Sequence, residues 1–154
     1  MPSSVFVFPD LAKLNFVNLT NLLGANAANF KFALITSTWV PANATDELFA
    51  TPSVNEITAA NGYTAGGIAL TGVVLSQTGG TVKFTSAAAV WTAAGGSIAA
   101  WRRGVVYYLG TLNGKVNPLV GHFLGDNTPA DTPATTAGNT LTVTMSASGI
   151  LAAT

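Results

Sequence analysis

The stretch Ser97-Ile-Ala-Ala-Trp-Arg-Arg-Gly-Val-Val-Tyr-Tyr-Leu109 decides how this chain is read. In an extended segment successive side chains point to opposite faces. Here both sets are largely apolar: Trp101, Val105, Tyr107 and Leu109 on one, Ile98, Ala100, Val106 and Tyr108 on the other. A strand of this kind is covered on both sides and belongs inside a sheet. A single sandwich core covers one face only. A neighbouring subunit is therefore expected to cover the second, burying Trp101 or Tyr108. Arg102 and Arg103 interrupt the apolar run, and arginine is enriched at protein interfaces because its planar fork matches carboxylates and carbonyls. Trp101, Arg102, Arg103 and Tyr108 are accordingly the candidate interface residues, with a guanidinium expected to reach across to the adjacent chain.

Working outward, the same period of two recurs between Gly, Asn, Thr and Pro punctuation. Strands are expected at Phe30–Thr36, Val54–Thr58, Ile68–Ser76, Thr81–Phe84, Val90-Trp91, Pro118–Leu124 and Thr140–Met145, with a short closing piece at Gly149–Leu151. Thr78-Gly79-Gly80 reads as a tight hairpin. Gly125 to Gly138 carries Pro, Asp and Thr and almost no large apolar residue, so it is expected to be a long exposed loop, dispensable for folding. The one helical pattern is Asp10–Leu23, with Asp10 as N-cap and Gly24 as stop. The fold class that follows is all-β: an antiparallel β-sandwich or jelly-roll-like single domain over residues 30–154, preceded by an N-terminal arm, residues 1–29, with one short helix.

Composition narrows the function. The chain has 154 residues, and only 8% are charged, six basic and six acidic, against about 25% in ordinary soluble domains. A neutral, charge-poor surface lacks the repulsion that keeps proteins apart in solution and reads as one meant to be covered. Nucleic acid is not an expected partner, because counterion release needs clustered cations and only Arg102-Arg103 are adjacent. A membrane span is not expected either: Phe84–Trp101 is free of charge but broken by Thr85, Ser86, Thr92, Gly95, Gly96 and Ser97. The start, Met1-Pro-Ser-Ser-Val5, lacks the basic n-region of a signal peptide, so secretion is not expected.

Catalytic and metal chemistry need ionisable groups that converge, and few are present. With no cysteine and a single histidine, the usual zinc sites cannot be assembled within one chain. His122 lies in the apolar run Leu119–Leu124 and reads as a strand residue with a satisfied hydrogen bond. Asp46-Glu47 are adjacent and point to opposite faces of an extended segment, where solvation is the expected role. Asp126, Asn127 and Asp131 offer oxygens without the ordered spacing of a calcium loop. No phosphate-binding glycine loop or nucleophile elbow occurs. No enzyme, cofactor or metal is expected. Trp39, Trp91, Trp101, Tyr107 and Tyr108 suit either a sugar-stacking platform or core and interface packing, and packing is favoured.

Lys31-Phe-Ala-Leu-Ile-Thr-Ser-Thr38, Asn55-Glu-Ile-Thr58, Gly62-Tyr-Thr-Ala-Gly-Gly67 and Leu70-Thr-Gly72 carry a resemblance, continued by Val82-Lys-Phe84, Val90-Trp91, Val105-Val-Tyr107, Leu119-Val-Gly121 and Gly138-Asn-Thr-Leu-Thr-Val-Thr144. Over most of Lys31–Leu151 the chain resembles a family of small virion proteins of tailed bacteriophages. It departs from that pattern at Gly95-Gly96 and in the loop around Pro129 and Pro133. The resemblance implies a head decoration, or cement, protein on the virion head surface that binds outside the major capsid lattice, as a homotrimer. A tail, baseplate or fibre module is the alternative, and a carbohydrate-binding β-sandwich a further one. In the Gly62–Gly67 element, Gly62, Gly66 and Gly67 allow backbone angles closed to other residues. Tyr63 is expected to be a fixed plug beside them.

Overall fold

The computed structural model describes residues 27–78, 81–126, 128, 130–146 and 150–153. The helix expected at Asp10–Leu23, most of the 1–29 arm, the Gly79-Gly80 turn and Gly149 lie outside them. Along the described residues run β1 (Phe30–Ile35), a single helical turn α1 (Ala50–Ser53), β2 (Ile68–Ala69), β3 (Val74–Thr78), β4 (Thr81–Thr85), β5 (Ala89–Thr92), β6 (Arg103–Tyr108), β7 (Thr111–Leu112), β8 (Lys115–Val116), β9 (Leu119–Leu124), β10 (Thr140–Val143) and β11 (Leu151–Ala153). Every strand pairing is antiparallel, and the fold is all-β.

The main sheet has the order β2-β1-β6-β9, beside a three-stranded sheet β11-β4-β3 and the pairs β10-β5 and β7-β8. β6 is internal, as its two apolar faces require: Phe30 to Ile35 pair with Tyr108 to Arg103 on one side, and β9 pairs on the other with a bulge at Val106/Tyr107. β1 is internal too, with Phe30, Phe32 and Leu34 on one face and Ala33 and Ile35 on the other, all buried. On the first face, Phe30, Phe32, Leu34, Val106, Tyr108 and Phe123 pack against Phe84, Trp91, Val143 and Ile150 from the smaller sheets and their flanks. Gly104 of β6 lets this face close. Phe32 and Phe123 stack with centroids 5.5 Å apart, and a Cβ at Gly104 would lie 2.4 Å and 2.6 Å from their rings.

The second face holds Ala33, Ile35, Val105, Tyr107 and Leu119, and its cover comes from the same chain. Trp39 and Phe49, on the connection that follows β1, close over it. The Phe49 ring lies flat on Tyr107, centroids 3.9 Å apart and 4° from parallel. The expected subunit cover is therefore corrected. The missing surface is a long connection whose packing no local periodicity announces.

Three strand boundaries also change. The segment Ser97–Leu109 is a strand only from Arg103, because β1 ends at Ile35 and the last bond to it is Arg102 N–H to the Ile35 carbonyl, 2.8 Å. Upstream the backbone still needs partners. It finds them in the loop, through the bridges Ile98↔Thr135 and Trp101↔Thr132. Ile68–Ser76 is two strands in two sheets, broken near Gly72 with φ +58°. Val54–Thr58 is not a strand; α1 and a turn precede a single bridge, Ile35↔Glu56. A further hairpin, β7-β8, turns through Asn113-Gly114, both at positive φ and the strongest two-residue hairpin signal. Its two-residue strands are too short to show alternation.

The 125–138 segment is a tethered loop and not a free one. Paired N–H···O bonds join Ile98 with Thr135 and Trp101 with Thr132, at 2.7–3.2 Å. Gly125 packs so closely on Trp101 and Thr132 that a Cβ there would meet both within 2.7 Å. The expectation that it is dispensable is revised accordingly. Replacing residues 127–137 by a short glycine turn should lower stability by about 1.5–3 kcal/mol, the usual cost of uncovering a large apolar side chain. Denaturant melts check this, and an unchanged midpoint would show that the tether carries no energy.

Candidate functional site

Two polar assemblies interrupt the cores and a third lies at the surface. The first is the glycine corner around Tyr63. β2 pairs with β1 only through Lys31 and Phe32; beyond them the Leu34 carbonyl accepts from the Ile57 N–H at 3.0 Å, but the Leu34 N–H has no backbone partner on that side. Tyr63, buried as expected, supplies it: the Leu34 N–H donates to its hydroxyl at 3.0 Å. That hydroxyl donates to Glu56 Oε1 at 2.5 Å, and the Gly66 N–H donates to the same oxygen at 2.7 Å. Tyr107 donates to the Gly66 carbonyl at 2.8 Å. Gly62, Gly66 and Gly67 all have positive φ. Burial and then the Glu56 hydrogen bond push the Tyr63 phenol far above its ordinary range; burial and then the Glu56 charge push Tyr107 up to about 12. Both phenols stay protonated donors. The corner is a structural joint.

The second assembly is a polar pocket on the second face. His122 stands on β9 opposite Val105, and Arg103 lies two positions along β6 on the same side. His122 Nε2 is 3.0 Å from Asn43 Oδ1, its ring meets Trp39 edge-on at 5.3 Å, and its Nδ1 is buried without a partner. His122 is thus the hydrogen-bonded strand residue expected, with its second ring nitrogen left over. Asp46 is buried, correcting the solvated role: its Oδ2 accepts from Trp39 Nε1 at 3.2 Å and from the Ala42 N–H at 2.8 Å. Burial, then the Arg103 charge, push the His122 imidazole down to about 4, with Asp46 acting in the opposite direction. The ring is enclosed, 3% exposed, between Trp39 and Asn43.

The third is the pairing of surface charge. Arg102 Nε donates to Asp131 Oδ1 at 2.6 Å, and Lys115 Nζ to Glu47 Oε2 at 2.9 Å. Asp126 Oδ1 accepts from the Thr128 N–H and hydroxyl at 2.9 and 3.0 Å, an Asx turn. The Asp131 and Lys115 side chains, 45% and 44% exposed, are each paired within the chain.

The candidate interface residues are not brought together on an open surface. Trp101 and Tyr108 are 2% and 5% exposed within one chain, Trp101 beneath the 125–138 loop and Tyr108 against Phe30 at 5.5 Å. Neither has a face left for a neighbour. Arg102 is engaged by Asp131 of its own loop, and Arg103 points to the second face, its Nε buried. Trp39, Trp91 and Trp101 are all buried, so none of the three presents an open face for stacking on a sugar. Among the described residues the exposed large apolar side chains are Val40 and Val54 on connections, Val116 on the β7-β8 hairpin, Val74 and Val90 on β3 and β5, and Leu109 just past β6. Comparison with known proteins found no matching family model, no matching curated protein and no matching solved structure.

Proposed function

We propose that this chain is a structural protein of a tailed-bacteriophage virion, a head decoration protein that binds the outside of the major capsid lattice and stabilises the shell. The observation that carries the reading is the charge-quenched surface. Among the described residues charged groups are few, and most of them are buried, hydrogen-bonded or ion-paired within the chain. Such a surface suits close packing on another protein. It offers nothing that would steer a nucleic acid or a charged substrate. The resemblance over Lys31–Leu151 supplies the virion setting and the homotrimeric state. Subunit contacts then involve surfaces such as those around Val40, Val54 and Val116, since Trp101 and Tyr108 are internally engaged. A protein that binds only the assembled lattice stabilises it by mass action.

The test is quantitation against the major capsid protein in purified particles, together with light scattering on the isolated protein. Decoration requires a copy number comparable with that of the capsid protein and a trimer mass, with added protein raising the melting temperature of undecorated heads. A handful of copies per particle would instead place the chain in the tail, baseplate or a fibre. Absence from particles would end the virion reading.

A further inference from the structure

We propose that the His122–Asn43 contact is an acid-releasable latch holding the connection 37–46 over the second face of the main sheet. This inference does not depend on the virion reading. The connection is fixed at both ends, and in between by Trp39 packed on the second face and by Asn43 hydrogen-bonded to His122. At its start Thr36 N–H donates to the Asn55 carbonyl at 2.9 Å; past its end Leu119 N–H donates to the Glu47 carbonyl at 2.8 Å and Phe49 N–H to the Asn117 carbonyl at 2.9 Å. Between these anchors its ties to β9 run through one imidazole, by the Asn43 hydrogen bond and the Trp39 edge contact.

With Asn43 Oδ1 as acceptor, Nε2 carries the proton and Nδ1 the lone pair. A second proton would create an N–H at Nδ1 where no acceptor lies within reach. The charged groups that face the ring are Arg103 from β6, which opposes a second cation, and Asp46 from the connection itself. The Asp46 oxygen Oδ2 is already committed to Trp39 and Ala42. An imidazolium is therefore accommodated only by opening the connection to water, which frees Asn43 and withdraws Trp39 from Ala33, Ile35 and Val105.

The sign follows from linkage. In the closed state the imidazole resists protonation down to about pH 4, whereas in the open state it takes a proton near its ordinary value of about 6.5. Opening is constant above about pH 6.5 and rises as the pH falls, by up to about tenfold per pH unit. It levels off once the closed state is protonated as well.

Native-state hydrogen exchange on the full chain between pH 7 and 4.5 tests this. The reporters are the Ala42 and Asp46 amides, hydrogen-bonded to Asp46 Oδ2 and the Ala42 carbonyl, with β1 and β6 amides as the reference for global unfolding. In the wild type the two reporters lose protection with falling pH, approaching tenfold per unit, while the reference amides hold. In His122→Gln, where carboxylate effects persist and the imidazole is gone, the slope disappears. Equal slopes in both proteins would overturn the proposal. Should His122→Gln fail to fold, a nuclear magnetic resonance titration of the wild-type imidazole decides. Ring titration that coincides with reporter opening supports the latch; titration near 6.5 with unchanged reporter protection overturns it.

Discussion

Gly67→Ala is expected to cost about 4 kcal/mol or more, a size reserved for substitutions that break a specific structural feature. Gly67 sits at φ +72°, and a Cβ there would lie 1.9 Å from the Phe32 carbonyl oxygen and 2.7 Å from the Ala33 Cα. Those are backbone atoms of an internal strand, so relief requires β1 to move, and β1 is locked to β6 along its whole length. Small domains hold about 5–15 kcal/mol in total, and poor soluble yield is the expected phenotype. Gly95→Ala separates space from conformation. Gly95 has φ +78° with nothing within 4 Å of the added carbon, so its cost should stay at about 1–2 kcal/mol, the left-handed penalty alone. Equal denaturant midpoints for the two variants would mean that Gly67 does not approach β1 as described.

Tyr63→Ala should remove about 3–5 kcal/mol, the usual result of truncating a core aromatic. Its ring is 2% exposed and lies 6.0 Å from that of Trp91. Its hydroxyl also ends β1's search for a hydrogen-bond partner, so truncation leaves the Leu34 N–H and the Glu56 carboxylate without it. Tyr63→Phe keeps the packing and removes only the hydroxyl, at about 1–3 kcal/mol for the groups left unsatisfied. A phenylalanine variant as stable as wild type would show that water replaces the hydroxyl and that the joint works by packing alone. An alanine variant losing less than about 1 kcal/mol would contradict the burial of Tyr63.

Legibility followed the range of the physics involved. β1, β5, β6, β9 and β10 were foreseeable because each carries its own alternation, and the Gly62–Gly67 corner because glycines around one aromatic announce unusual backbone angles and a plug. Ile68–Ser76 misled because its alternation continues across Gly72 while the chain changes sheets. Trp101 and Tyr108, expected at a subunit contact, are enclosed within one chain for a longer-range reason. Two apolar faces do demand two covers, but a connection or a tethered loop of the same chain covers as well as a neighbour does. Asp46 shows the same limit: its burial depends on Trp39 and Ala42 folding back toward it, which no spacing rule encodes.

The pairing of β1 with β6 joins residues 30–35 to residues 103–108, and this separation has a consequence during synthesis. A ribosome adds about 5–20 residues per second, so β1 leaves it roughly 4 to 14 s before β6 exists. Throughout that interval both faces of β1 are apolar and its principal partner is missing, while β3 and β4, neighbours in sequence, can already pair. The first described strand to be made is thus among the last to be enclosed. In a chain with so few charges to keep nascent copies apart, the crowded polysome is where association between unfinished molecules is most exposed to chance.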